Sequence, residues 1–201
     1  MSRYIGPKNK RARAVGEDLG LKRNGLKLAR RLSVRPGQHG VKGRRKVSDF
    51  GTQQREKQKV RFMYGIGERQ LRAVYQEASK SLTATGSTML TLLERRLDNV
   101  VYRLGFAPTR AAARQMVGHG HVMINQKTMS IPSYRVKRDD VITLAANATK
   151  IPVVKEMLAD LAVAPAWLER KQAVAKVIRF PLRSDLQEPI AEQLVVEFYS
   201  R

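Results

Sequence analysis

The sequence predicts an α+β protein, and three observations carry that prediction. Apolar residues recur at helical spacing through Leu90, Leu93, Leu97, Val100, Val101 and Leu104; the period then drops to two around Val122 and Ile124; and residues 1–46 are too rich in charge and glycine to sustain either pattern. The elements follow in order.

Residues 1–46 hold fifteen Lys or Arg against two acids, Glu17 and Asp18, which is +13 of the formal +22. Gly6-Pro7, Gly16, Gly20, Gly25, Pro36-Gly37 and Gly40 punctuate the stretch, so it is predicted as a basic extended N-terminal arm without a core of its own. Tyr4 and His39 are its candidates for stacking on bases or sugars. Ser48-Asp49 then supplies a cap and a negative charge for a first-turn dipole, opening a helix that stops at Tyr64-Gly65. That helix reads as basic almost all round: Phe50, Gln54, Lys57 and Arg61 lie near one face, Arg55 and Lys59 near another. A second helix is expected over Glu68 to Lys80, burying Leu71, Val74, Tyr75 and Ala78, with Ser81 to Ser87 as a linker.

The apolar series from Leu90 to Leu104 predicts one helix carrying Arg95, Asn99 and Arg103 in line, with Arg96 beside them. Gly105-Phe106-Ala107-Pro108 breaks it. A helix capped by Thr109 follows, ending at Gly118 or Gly120; Ala112, Ala113, Met116 and Val117 face inward, and Arg110 and Arg114, at i, i+4, stay outside. Val122 to Asn125 and Val141 to Leu144 read as strands, the second after a turn at Arg138-Asp139-Asp140. Further on, Val153 to Leu161 reads as a helix, Ala164 to Leu168 as a turn into a helical segment anchored by Trp167, and Ala173 to Phe180 as an edge strand. Pro189 to Tyr199 fits both periods, since Ile190, Leu194 and Phe198 suit a helix while Leu194, Val196 and Phe198 alternate.

At 201 residues and 42% hydrophobic content, the chain can fold as one or two domains with real cores. A charge of +22 makes a polyanion the leading partner, because compaction otherwise works against self-repulsion. The sequence has no long apolar run, signal peptide or lipidation motif, so a membrane is not the expected partner. The absence of cysteine removes disulfides, thiolate metal sites and cysteine nucleophiles. His119-Gly120-His121 lacks further ligands and reads as a polar corner meeting solvent or RNA. With no phosphate-cradling glycine loop and no Ser-His-Asp set, the expected work is binding RNA, with no enzymatic activity, no cofactor and no small-molecule substrate.

Several phrases, in order, carry a resemblance: Arg3-Tyr4-Ile5-Gly6-Pro7, Arg35-Pro36-Gly37-Gln38-His39-Gly40, Arg55-Glu56-Lys57-Gln58-Lys59, Tyr64-Gly65-Ile66, Arg96-Leu97-Asp98-Asn99-Val100-Val101-Tyr102-Arg103, Thr109-Arg110, Gly118-His119-Gly120-His121, Ile131-Pro132-Ser133-Tyr134 and Val195-Val196-Glu197-Phe198-Tyr199-Ser200-Arg201. Across nearly its whole length the chain resembles bacterial small-subunit ribosomal protein four. The resemblance implies a mixed helix and antiparallel-sheet RNA-binding domain, residues 91–181 with the family's RNA-binding unit at about 94–157, inserted into a small all-helical domain of residues 48–90 and 182–201, after an arm at 1–47. On it, Pro189 to Tyr199 is a helix. It further implies binding to the 5′ domain junction of small-subunit rRNA, nucleation of the subunit body, a contribution to translational accuracy, contact with the fifth ribosomal protein, proximity to mRNA, and residence in the cytoplasmic small subunit.

The residues expected at RNA come from four stretches. The arm contributes Arg3, Tyr4, Lys8, Lys10, Arg11, Arg44, Arg45 and Lys46; the first helices contribute Arg55, Lys57, Lys59, Arg61, Tyr64 and Arg69. Arg96, Arg103, Thr109, Arg110 and Arg114 come from the central helices, and His119, His121 and Lys127 from the turn region. Arginine suits the task because its planar fork donates in pairs to phosphate and stacks on bases. Glu197 and Tyr199 are the expected protein contacts. The alternative is a standalone regulatory RNA-binding protein acting on mRNA or stalled ribosomes.

Three departures from the family stand out. Many relatives carry a zinc-binding cysteine cluster in the arm, and this chain has none. The turn Asn125-Gln126-Lys127 lacks the usual second glycine; positive φ at Gln126 costs about 1 kcal/mol, so Asn125 is expected to take that conformation instead. Arg138-Asp139 replaces a common Pro-Gly. Arg96-Leu97-Asp98 also matches a motif of RNA pseudouridine synthases, in which the aspartate is nucleophilic, but no further stretch large enough for a catalytic fold remains, and Asp98 reads as an ion-pair or capping residue.

Overall fold

Two helix starts, at Ser48 and Thr109, fall where side-chain cap chemistry places them. In the computed structural model, which describes residues 4–42, 47–160, 164–186 and 188–201, the elements run α1 (Lys8–Val15), α2 (Leu26–Ala29), α3 (Asp49–Met63), α4 (Glu68–Ala78), α5 (Thr85–Glu94), α6 (Leu97–Arg103), α7 (Arg110–Gly118), β1 (Val122–Ile124), β2 (Lys127–Thr128), β3 (Val141–Leu144), α8 (Ala146–Thr149), α9 (Pro152–Ala159), β4 (Leu168–Lys171), β5 (Val174–Val177) and α10 (Glu192–Ser200). The Ser48 hydroxyl accepts from Gly51 N–H to start α3, and Thr109 accepts from Ala112 N–H to start α7. The chain divides into two units, Met1–Met89 with Glu188–Arg201, and Leu90–Gln187.

In the first unit α3 packs against α10 and α1, and α4 against α10. Phe50 stacks on Phe198 with ring centroids 5.5 Å apart, and Tyr75 on Tyr199 at 4.9 Å. The leader is not an extended arm without a core. Ala12, Val15, Leu19 and Leu28 are buried, and Arg13 donates to the Val34 and Arg35 carbonyls at 2.8 and 3.0 Å. Ala12 and Val15 sit at i, i+3 on α1, and Leu19 follows its Gly16 C-cap, a short apolar set that the surrounding cations mask in composition. The segment expected as a linker, Ser81 to Ser87, already enters α5 at Thr85. The ambiguous C-terminal stretch is helical from Glu192, as α10, three residues later than the expected start at Pro189.

In the second unit α6 and α7 lean on one face of a five-stranded antiparallel sheet of order β2-β1-β3-β5-β4. Leu97, Val101, Leu104, Phe106, Val117, Val122, Ile142 and Val177 share its core with Trp167, which is 1% exposed. Two expectations are corrected. Residues 168–171 form strand β4 where a helical segment was expected, and its hairpin with β5 moves β5 from the edge to an interior position. Gln172 permits the tight connection at φ 51°. The β1–β2 connection is a two-residue loop with both Asn125 (φ 47°) and Gln126 (φ 67°) left-handed, the type I′ pattern that matches strand twist; Asn125 does not relieve Gln126.

The single helix expected from Leu90 to Leu104 is two. Arg96 is extended, bridged to Arg135, and the segment 132–136 takes the donors that a continuous helix would keep internal. Leu97 N–H donates to Tyr134 O at 2.8 Å, Asp98 N–H to Pro132 O at 3.1 Å, and Val136 N–H to Arg95 O at 2.9 Å. With its first donors satisfied from outside, α6 begins afresh.

Candidate nucleic-acid interface

The break at Arg96 brings side chains together that helical spacing would separate. Glu94, 1% exposed, accepts both Arg103 Nε and Nη2 at 2.9 Å and Asn99 Nδ2 at 2.8 Å. Asp98, also buried, accepts Arg96 Nε at 3.1 Å and Nη2 at 2.8 Å, with Arg114 Nη1 at 3.5 Å. Asn99 Oδ1 accepts from Arg110 Nε at 2.8 Å, and the Arg110 guanidinium lies over the Tyr102 ring at 4.5 Å. Two buried carboxylates and one amide thus fix four guanidinium groups. A buried carboxylate needs such pairing, and the bidentate forks give the geometry little freedom.

This lattice corrects the expectation that Arg110 and Arg114 are left outside. Both are half-buried, and Arg96 is inside, gripping Asp98. The Thr109 hydroxyl is buried at the α7 cap. Asp98, held on both oxygens, has the surroundings of a structural anchor and not of a nucleophile. His119 is exposed and His121 half-buried, their rings 6.0 Å apart, and Lys127 projects from the β1–β2 hairpin in solvent.

The first unit inverts the arrangement. Lys57 and Lys59, expected at RNA, are 6% and 3% exposed. Lys57 Nζ reaches Glu68 Oε1 at 2.9 Å and sits 4.3 Å from the Phe198 ring centre. Lys59 pairs with Glu17 at 2.6 Å and Glu56 at 3.6 Å and donates to Pro189 O. Aliphatic stems let the ammonium groups traverse apolar packing to reach acids, which the all-round basic pattern of α3 conceals. Tyr64 is likewise buried, closing α3 and not available to stack. Arg61 meets Glu68 at 3.1 Å, whereas Arg69 is exposed and Arg55 half-buried.

In the leader, Lys10 is exposed and Lys8 half-buried, while the Arg11 guanidinium lies 3.5 Å from the Tyr4 ring centre and 4.6 Å from that of Phe62. Burial lowers the Arg11 pKa, yet guanidinium stays charged. Tyr4 therefore already has a cation on its ring. Arg3, Arg44, Arg45 and Lys46 lie outside the described residues. At the C-terminus, Glu197 accepts from Gln53 Nε2 at 2.9 Å, and Tyr199 donates to Glu68 Oε1 at 2.8 Å. Burial and then that bond to Glu68 push the Tyr199 hydroxyl far up. For Glu68, burial acts upward, but donors Lys57, Tyr199 and Arg61 outweigh it and hold the carboxyl below its usual range.

Sequence reading missed Glu94, Asn99 and Asp140 as organising residues. Asp140 is buried, accepting from Lys137 N–H at 2.8 Å and Asn125 Nδ2 at 3.0 Å, so it braces the loop behind Lys127. The available signal was three acids and amides set among arginines within apolar stretches. Among the described residues there is no group of three or more His, Asp or Glu able to hold a metal, and no helix is long and apolar enough to cross a membrane.

Comparison with known proteins gives concordant matches. Residues 3–94 match the Ribosomal protein S4/S9 N-terminal domain, and residues 95–142 the S4 domain. Similar proteins include Small ribosomal subunit protein uS4 of Methylobacillus flagellatus, 50% identical over 100% of this chain and 98% of the relative. The proteins of the same name from Mycoplasma mobile and Chloroflexus aurantiacus are 46% and 47% identical, each over 100% of both chains.

Proposed function

The chain belongs to the family of small ribosomal subunit protein uS4, a structural and non-enzymatic constituent of the ribosome, and on that premise we propose that its specific ligand is the folded 5′ domain junction of small-subunit rRNA. Family membership brings with it small-subunit rRNA and ribosomal proteins as partners. The standalone regulatory reading is not favoured, because the relatives are ribosomal constituents along the full chain.

The observation that carries the proposal is the carboxylate-anchored guanidinium lattice of α6 and α7. Loose cations attract any polyanion, whereas fixed ones favour a phosphate arrangement of matching shape. The lattice supplies discrimination, and the exposed cations, among them Lys10, Arg69 and Lys127, supply attraction. Binding of this kind nucleates assembly of the subunit body. The end of α10 at Glu197 and Tyr199 faces the fifth ribosomal protein and contributes to accuracy near the mRNA; its side chains are already tied to Gln53 and Glu68, so this contact uses the helix surface they stiffen.

The test is equilibrium binding to a 5′ domain transcript and to a scrambled transcript across a salt series. The intact chain discriminates between them at cellular salt. Lys127→Ala weakens both similarly and reduces the salt slope by about one, with stability changed by less than about 0.5 kcal/mol. Equal affinity for both transcripts at cellular salt rules the proposal out.

A further inference from the structure

One half-buried cation joins three parts of the mixed unit that the chain keeps far apart. Arg170 alternates with Leu168 on the inner face of β4, at the edge of the sheet. Its guanidinium donates from Nη1 to the Leu104 carbonyl at 2.6 Å, from Nη2 to the Met157 carbonyl at 3.2 Å and from Nε to the Gln172 carbonyl at 3.1 Å. The same group lies 5.0 Å from the centre of the buried Phe106 ring. Leu104 closes α6 and Met157 sits in the last turn of α9, so both carbonyls belong to the set that a helix leaves without an internal donor. Burial lowers the Arg170 pKa and Asp160 acts the other way, yet a guanidinium stays charged.

Leu104 and Phe106 stand where α6 hands over to α7. Arg103 ends α6, Thr109 caps α7, and Gly105, at φ 69°, turns the chain between them. Across the two helices the lattice depends on Arg110 reaching Asn99 at 2.8 Å and Arg114 reaching Asp98 at 3.5 Å, so a change in the angle between the helices moves these groups relative to Arg103. Resting on the rRNA-binding reading above, we propose that Arg170 is a positioning residue for that binding: from the edge strand it pins the connection between α6 and α7, and so fixes how the Arg110 and Arg114 guanidinium groups stand relative to that of Arg103. The planar fork suits the role, because one group meets carbonyls of two helices and still offers its face to an aromatic ring. With Nε and both terminal nitrogens engaged by main-chain carbonyls, its work is orientation and not phosphate contact.

The experiment uses the full chain, the 5′ domain transcript, a scrambled transcript and two variants. Arg170→Lys keeps the charge but offers one nitrogen in place of a fork; Arg170→Met keeps much of the stem and loses every donor. Trp167 fluorescence confirms that each is folded before binding is measured. Both variants lower the ratio of ribosomal to scrambled affinity about three- to tenfold, the reach of a residue that acts through others. Affinity for the scrambled transcript and its salt slope stay at the parent's values, because Arg170 neutralises no phosphate. In heteronuclear NMR spectra of the free chain, the Nε–H resonances of Arg103 and Arg110, bonded to Glu94 and Asn99, move in both variants. A ratio within about twofold of the parent's, whatever happens to the unfolding temperature, overturns the inference, since Arg170 then only holds the unit together. Resonances that stay in place overturn it too. So does a salt slope reduced by about one in Arg170→Met with Arg170→Lys at parental affinity, the mark of direct phosphate contact. If Arg170→Met does not fold, Arg170→Lys decides alone. A parent that does not distinguish ribosomal from scrambled RNA sinks the rRNA-binding reading and this inference with it; a discriminating parent with unaffected variants sinks the inference alone.

Discussion

The two units handle charge in opposite ways. In the helical unit the cations are inside: the side chains of Lys57 and Lys59 are 7% and 3% exposed, while their partners Glu68 and Glu17 remain 40% and 43% exposed and the second partner of Lys59, Glu56, is 14% exposed. In the mixed unit the acids are inside: Glu94 and Asp98 side chains are 1% and 5% exposed, with Arg103 and Arg114 nearer the rim at 13% and 18%. A lysine on a flexible stem can pass through packing to an acid at the surface, which holds helices together. A buried carboxylate gripping planar forks instead fixes guanidinium groups at defined depths, Arg96 inside and Arg103 and Arg114 nearer the rim. Basic composition alone therefore does not say which cations are sealed in; that depends on where their acid partners lie.

The sharpest way to break this comparison is Glu94→Ala. It strips the buried acceptor from Arg103 and Asn99, and the expected loss is about 3–5 kcal/mol, read from denaturant unfolding by the fluorescence of Trp167, the chain's single tryptophan and part of that unit's core. A loss below about 1 kcal/mol means that the acid does not organise the lattice. Lys59→Ala comes next, at about 1–3 kcal/mol, followed by helical circular dichroism. Its partner Glu17 can rehydrate, whereas the less exposed Glu56 and the Pro189 carbonyl lose their donor. An effect larger than that of Glu94→Ala contradicts the asymmetry.

The smallest effect is a pH dependence. Glu68 is depressed in the folded chain, so its contribution to stability is fully present above the ordinary carboxylate pKa and is lost as pH falls through the lower folded value, below about pH 4. Because Glu68 is substantially exposed, the contribution is under about 1 kcal/mol. Comparing Glu68→Gln with the parent from pH 6 to pH 3 sharpens the point: the difference narrows on acidification, and a constant difference shows that the Lys57–Glu68–Tyr199 set is not held by charge.

Much of the fold was legible in local chemistry. Ser48 and Thr109 announced helix starts, and the shift from Leu90-type to Val122-type spacing announced the sheet. The second hairpin was not legible, because Glu169, Arg170 and Lys171 alternate weakly and Trp167 dominates the pattern around them. Arg170 in fact donates to the Leu104 and Met157 carbonyls at 2.6 and 3.2 Å, partners that no local reading joins to it. For the candidate site, residue types were legible and their depth was not. Arg103, Arg110 and Arg114 stand out in the sequence as a group, yet each is fixed by Glu94, Asp98 or Asn99, and of these only Asp98 reads as an ion-pair or capping residue.

The amino-acid order by itself determined the sign and concentration of charge, the caps, the change of period and the absence of cysteine chemistry, because each depends on residues within a few positions of one another. Only the tertiary structure decided where α5 ends and α6 begins, which lysines are sealed in and which arginines are presented. Those outcomes depend on distant groups: carbonyls at 132–136 that intercept the donors of α6, and a carbonyl at Pro189 that captures Lys59. Hydrogen-bond satisfaction in a buried environment is a property of the whole fold.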